Sequence, residues 1–179
     1  MSGPVLQRRA MHDRCGLKGP RAADWLTARG VELPPAPNTW VDSANGRGAP
    51  LLVMRLGSAE FFLEGAEAGT SLRAFEPAID AKCGVYPVLR EDLALTLSGE
   101  GSLEILAQVC NVNFAALEFE SHPLIMTLMI GAAVLVLPQG AGDGALYRMW
   151  CDPTFGPYLE GSLKTVVVEC GGIYIGVSA

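Results

Sequence analysis

No two cysteines in this chain are spaced Cys-x-x-Cys, and the five present, Cys15, Cys83, Cys110, Cys151 and Cys170, are odd in number. This argues against a disulfide framework and a closed zinc site, and fits reduced, buried thiols. Histidine is scarce: His12 and His122 stand alone, each expected on the surface or in a loop. No Gly-x-Ser-x-Gly elbow is present, and Ser98-Gly99 has no assignable histidine, so acyl or peptide hydrolysis has no support. Lys and Arg nowhere cluster beyond Arg8-Arg9, and the net charge is −6. Nucleic acid is therefore not expected as a ligand.

Long apolar runs are missing too. The uncharged stretch LIMTLMIGAAVLVL (residues 124–137) is 14 residues, short of the roughly 20 that span hydrocarbon. Its Ile, Val and Thr content and the break at Gly131 predict one long bent strand or two short ones, with no membrane association. The opening MSGPVLQRRAMHDRCG lacks the apolar core of a secretory signal, which makes the cytoplasm the expected compartment. Charged residues amount to 18% of the chain and hydrophobic ones to 50%. Since average soluble proteins carry roughly 25% charged residues, the chain either buries an unusual share of itself or keeps an apolar surface for a partner; the second reading is favoured.

What is present is a repeat. LKGPRAADWL starting at Leu17 and LSGEGSLEIL starting at Leu97 place a turn glycine and an amphipathic run at the same spacing, 80 residues apart. In the first copy Pro20 opens a short helix that Gly30 closes; in the second Leu103, Leu106 and Cys110 share one face. Each helix leads through a loop, PPAPNTWVDSANGRGAP or NVNFAALEFESHP, into a hairpin. The first hairpin pairs LLVMRL with EFFLE across Gly57-Ser58, the second AAVLVLP with ALYRMW across QGAGDG. That glycine tip feeds a strand rather than a helix N-terminus, so it reads as a turn and not as a phosphate cradle.

Phe75-Glu76-Pro77-Ala78-Ile79 and Phe155-Gly156-Pro157-Tyr158-Leu159 each open a further helix. Asp152-Pro153 supplies a cap in the second, and Phe155, Tyr158, Leu159, Leu163, Val166, Val167 and Cys170 lie along one face. The copies end alike in Cys83-Gly84-Val85-Tyr86 and Cys170-Gly171-Gly172-Ile173-Tyr174, with the second helix longer by seven residues, close to two turns. With short strands near residues 13–17 and 93–97, each copy reads β-α-β-β-α-β, the ferredoxin-like order. The expectation is an α+β fold, a single domain over residues 1–179 made of two tandem ferredoxin-like halves at about 13–89 and 92–178.

MRLGSAEFFLEG from Met54, LALTLSGEGSLEILAQVCNVNF from Leu93 and YRMWCDPTFGPYL from Tyr147 resemble the aminomethyltransferase or folate-binding domain superfamily. Within it they are most similar to the gamma subunit of heterotetrameric sarcosine oxidase. The resemblance implies a folate-binding-domain-like pair of halves and a non-catalytic role beside larger flavoprotein subunits, which would carry flavin and NAD, with no cofactor in this chain. An alternative is a tetrahydrofolate-binding protein that assists aminomethyl transfer, with a lipoyl carrier protein as partner; another is a stand-alone scaffold or regulatory module.

Three departures bear on these readings. Full-length aminomethyltransferases are longer and carry a further C-terminal barrel, so a complete transferase is not expected. Lys82-Cys83-Gly84 does not reproduce the lysine-glycine-cysteine order of related iron-sulfur assembly proteins. Pro153-Thr154 stands where gamma subunits often show arginine-serine.

Folate would need a carboxylate for the pterin's donor edge, an arginine for the glutamate tail and apolar or aromatic walls. Residues of those types in or beside strands are Arg55, Glu60, Glu64, Tyr86, Arg148, Asp152 and Tyr174, each of which also reads as a solvated strand residue or a core tyrosine. No catalytic or metal-binding residue is assigned. Cys151 beside Asp152 is a weak nucleophile, because a neighbouring carboxylate raises a thiol's pKa.

Overall fold

The structure is a computed structural model describing residues 3–44, 49–65, 70–75, 84–140 and 144–177. The chain divides into two compact units, Met11–Glu91 and Met1–Ala10 with Asp92–Ala179. The fold is α+β: two sheets and few helices. In chain order β1 is Val5–Arg8, β2 Arg14–Lys18, α1 Ala22–Thr27, β3 Thr39–Ala44, β4 Pro50–Gly57, β5 Glu60–Gly65 and β6 Tyr86–Val88. There follow β7 Leu93–Ser98, α2 Ser102–Val109, β8 Ile125–Met129, β9 Ala132–Gln139, β10 Leu146–Cys151, α3 Gly156–Glu169 and β11 Ile173–Ile175.

In the Met11–Glu91 unit the sheet runs β3-β4-β5-β2-β6, antiparallel throughout. Without β3 this is the ferredoxin-like strand order. β3 corrects the expectation of a plain loop from Pro34 to Pro50: Thr39, Trp40 and Val41 are strong strand formers, and six residues pair with β4. One sheet face carries Cys15, Leu17, Phe61 and Leu63, packed with Ala22 and Leu26 of α1. Burying each such large apolar side chain contributes roughly 1.5–3 kcal/mol. Alternation puts Leu52, Met54, Phe62 and Glu64 on the other face, and they are buried as well.

Regular helix starts at Ala22 and not at Pro20, because Gly19 (φ +133°) first turns the chain under Gly84. A Cβ on Gly19 would stand 2.4 Å from the Gly84 carbonyl oxygen, so only glycine fits. Phe75 closes a short 3-10 turn, Arg73–Phe75. The helix expected from Phe75-Glu76-Pro77, together with Cys83, falls on residues 76–83, outside the described residues, as does part of the QGAGDG tip at 141–143.

The second unit has the sheet order β11-β1-β7-β10-β9-β8. Its four ferredoxin-like strands are β7, β9, β10 and β11, extended by β8 at one edge. β1, from the start of the chain, is inserted between β7 and β11, antiparallel to the first and parallel to the second. Sequence reading assigned no strand there. The 124–137 stretch forms the two short strands β8 and β9, joined at Ile130-Gly131, both with positive φ (49° and 83°), the geometry of a tight hairpin turn.

Along α2, Leu106 and Cys110 are buried in one cluster with the half-buried Leu103 packed against it, the shared face expected, and Ser102, Ile105 and Val109 are buried as well. The face of the second long helix differs from expectation. In α3 Leu159, Leu163 and Val167 are buried, whereas Phe155, Tyr158 and Cys170 are exposed. Asp152 caps a 3-10 turn, Pro153–Phe155, and the α-helix follows from Gly156.

Candidate functional site

Glu64, at the end of β5, is fully buried opposite Arg14 of β2, and Arg14 Nε donates to its Oε2 at 2.6 Å. The side chains are 2% and 0% exposed, so this carboxylate is committed to an internal ion pair. Beside it, the His12 ring nitrogen Nδ1 lies 2.7 Å from the Gly65 carbonyl oxygen.

At the other end of the same sheet, Lys18 sits opposite Glu60 in β5 and opposite Tyr86 in β6, which places the three on one face in a row. Glu60 accepts from Arg90 Nη2 at 3.2 Å, and the Arg90 guanidinium lies 4.9 Å from the centre of the Phe62 ring. Arg55 belongs to the opposite face, 5.6 Å from the Phe61 ring. It donates to the carbonyls of Pro34 (3.1 Å), Pro35 (3.3 Å) and Ser58 (3.2 Å), tying the proline segment to the β4-β5 turn. Arg55, Glu60 and Tyr86 thus share one end of the sheet, but Arg55 does not share their face.

In the other unit, Arg148 of β10 faces Thr96 and Leu137, with its guanidinium 5.1 Å from the Trp150 ring. Tyr174 of β11 lies on the opposite face, packed against the core, and its hydroxyl donates to Glu160 Oε1 at 2.6 Å. Arg8 Nη1 reaches the second oxygen of Glu160 at 3.1 Å, so one carboxylate joins β1, α3 and β11. Hydrogen bonding to Glu160, then burial, raises the Tyr174 pKa. Asp152 accepts from the Thr154 backbone N–H at 2.8 Å and from its hydroxyl, which holds its carboxyl below the ordinary value. Arg148, Asp152 and Tyr174 do not converge.

Neither unit by itself therefore assembles the carboxylate, arginine and apolar wall of a pterin site from these seven residues. The partners missed by sequence reading were Arg14, Lys18, Arg90 and Glu160. Lys18 was legible by alternation from Leu17, but Arg14 pairs with a residue 50 positions away.

The Cys151 thiol is pushed up to about 11 by burial first, then by Asp92, Asp152 and Glu160. It stays protonated at neutral pH, which makes it a poor nucleophile. Among the described residues no group of three or more His, Cys, Asp or Glu could hold a metal ion, and no helix is long and apolar enough to cross a membrane.

An open groove of about 490 Å³ runs along α2 and the segment after it, lined by Leu103, Glu104, Cys110, Val112 and Phe114 among others. Phe114 forms part of its buried wall, edge-on to Tyr147 with ring centres 5.6 Å apart.

Neither a family model nor a curated protein matches the chain. Solved structures do. A chain of the heterotetrameric sarcosine oxidase from Corynebacterium sp. U-96, in complex with pyrrole 2-carboxylate, aligns with a TM-score of 0.71 at 21% identity, over 95% of this chain and 86% of that one. The chain has the aminomethyltransferase-like fold. Aminomethyltransferase T of the glycine cleavage system from Bartonella henselae shares it with a TM-score of 0.63 at 13% identity, over 97% of this chain and 48% of its own. The chain thus spans about half the length of that transferase. In the aminomethyltransferase-like fold as this chain builds it, the central strands β4, β5 and β10 are mostly buried on both faces, edge-strand residues such as Met126, Leu128 and Ile173 are exposed, and the polar candidates are drawn largely into internal pairs and caps.

Proposed function

We propose that this chain is a non-catalytic, gamma-like subunit of a flavin-dependent complex that oxidises sarcosine or a related amine, with flavin and NAD held by larger subunits. The observation that carries the reading is coverage: the chain aligns over 95% of its length with 86% of a chain from a heterotetrameric sarcosine oxidase. The side-chain chemistry agrees with it. Cys151 is held as a thiol, Glu64 is neutralised by Arg14, and the charged fraction is 18%, so the surface is suited to an interface more than to a reaction centre.

The test is purification of the tagged chain from its native host. Co-purification of larger chains with flavin absorbance is expected; a lone, colourless monomer would overturn the reading. The alternative of tetrahydrofolate binding with a lipoyl carrier draws on the likeness to aminomethyltransferase T. Calorimetric titration with tetrahydrofolate separates the two, and absence of heat at millimolar ligand removes folate binding by the isolated chain.

A further inference from the structure

We infer that the α2 groove is a docking surface for a basic, apolar-anchored segment of a larger partner chain. The inference rests on the subunit reading and adds the surface and its chemistry. Between Arg90 and Arg148 the sequence holds seven acidic residues and no lysine or arginine. Within that span lies the groove, about 490 Å³ and open to solvent. Its apolar lining includes the half-buried Leu103 and Val112 and the buried Phe114, which Tyr147 holds in place. Glu104 is the one charged residue lining it, exposed on the first turn of α2, and Glu100 and Glu118 are exposed on either side in sequence.

The exposed Glu104 carboxylate beside an apolar floor selects a segment that brings Lys or Arg beside an apolar side chain, since complementary charge steers the encounter and fixes register. The Asn111 and Asn113 amides, both exposed in the lining, each donate and accept, as a peptide backbone requires of its neighbours. A groove this open, walled by one helix edge and one loop, does not enclose a small ligand as cofactor pockets do. A polypeptide is the fitting occupant.

The experiment places a photo-crosslinking benzoyl-phenylalanine at Ala107, exposed in the groove, and a control at the exposed Ala28, in the tagged full-length chain in its native host. Irradiation is expected to join position 107 to a flavin-bearing larger chain, within a peptide that holds Lys or Arg next to apolar residues. Glu104→Lys should lower recovery of that chain at least tenfold, and an acidic residue at the crosslinked partner lysine should restore it. Glu32→Lys, exposed in the other unit, should leave recovery within twofold. Ala107→Trp, which fills the groove, should repeat the loss, with the melting temperatures of the free variants confirming that they fold.

Recovery of the complex without a crosslink from 107, or indifference to Glu104→Lys, overturns the docking surface and leaves the subunit reading standing. A crosslinked peptide without basic residues, a small molecule, or a second copy of this chain as the occupant overturns it as well. Failure of the unsubstituted chain to bring down any larger chain sinks both.

Discussion

Superposed by their ladders, the two sheets set Lys18 opposite Glu60 in one unit where Ser98 faces Leu146 in the other, and the remaining pairs follow in step. Four rungs along, Arg14 and Glu64 occupy the positions that Ala94 and Trp150 hold. Both pairs are buried, on the sheet face opposite the helix-covered core. One unit fills the place with a charge pair, the other with a small residue beside the largest one. At the strand edge the contrast is topological: β2 pairs directly with β6, whereas β1 stands between β7 and β11. The same ladder thus tolerates two fillings and an inserted strand, because what it requires is the alternation of faces and not particular residues.

The largest expected effect comes from the inserted strand. Deleting residues 1–9 removes the ladder bonds of β1 to both neighbours and the fully buried Leu6. Leu6 alone accounts for roughly 2–5 kcal/mol, and with the lost backbone bonds the cost should reach about 5 kcal/mol or more. Hydrogen exchange should show protection lost in β7 and β11 and retained in β2 and β6, which pair without an intermediary. Equal loss in both sheets would refute the assignment of β1 to one unit. Gly172 belongs to the same construction: a Cβ there would stand 2.3 Å from the Pro4 carbonyl oxygen, so the chain entering β1 depends on glycine at that point.

Next in size is the buried pair. Arg14→Ala removes the cation paired with the fully buried Glu64 and should cost about 3–5 kcal/mol, since breaking a buried ion pair from one side is the expensive outcome. The double variant Arg14→Ala/Glu64→Trp installs the other unit's solution and should recover at least half of that loss in urea unfolding. If the double variant is no better than Arg14→Ala alone, the two fillings are not interchangeable and the ladder comparison fails at this rung.

How much of this was legible depends on distance along the chain. β4, β5, β7, β9 and β10 announce themselves by local apolar runs bounded by glycine. β3 did not, because Thr39-Trp40-Val41 sits between a proline cluster and a glycine-rich stretch that dominate the local signal. β1 did not, because VLQR is four residues long and its partners begin some 85 residues later. The Cys-Gly-x-Tyr match located β6 and β11 correctly while concealing their different neighbours. For the candidate residues, residue type and strand position were readable, but pairing was not. A glutamate alternating onto a buried face requires a cation, yet nothing local names Arg14. Cys170 and Tyr158 were assigned to the buried stripe of α3 by helical spacing; the stripe that is buried is narrower, Leu159, Leu163 and Val167.

The thiol environment gives a third, intermediate effect, confined to the six-stranded unit. Below the ordinary thiol pKa of about 8.5, folded and unfolded chains both keep the Cys151 proton. Above it the unfolded chain releases that proton, while the folded chain retains it up to about 11. Stability should therefore fall as pH rises through this window, by up to about 1.4 kcal/mol per pH unit from this group. Cys151→Ala should flatten the alkaline arm of a stability-pH profile relative to the unsubstituted chain. An unchanged slope would mean that the thiol's surroundings are wetter than the burial of Cys151 implies.

The smallest effect separates the two terminal tyrosines that sequence reading treated as equivalents. Tyr174 donates to Glu160, which Arg8 of β1 also engages, so its hydroxyl joins the pair that connects β11 to α3 and to the inserted strand. Tyr86, at the start of β6, is 41% exposed, and its hydroxyl makes no hydrogen bond among the described residues. Tyr174→Phe should cost about 1 kcal/mol, the usual net worth of one such bond. Tyr86→Phe should stay within about 0.5 kcal/mol, as exposed substitutions without partners do. A double-mutant cycle with Arg8→Ala tests whether the tyrosine acts through the shared carboxylate. Arg8 is half-exposed, so its own contribution is small, but coupling requires Glu160 to be held by both partners at once. If the effects of Tyr174→Phe and Arg8→Ala simply add, Glu160 is positioned by α3 alone, and the inserted strand is held by its ladder and Leu6 without help from this network.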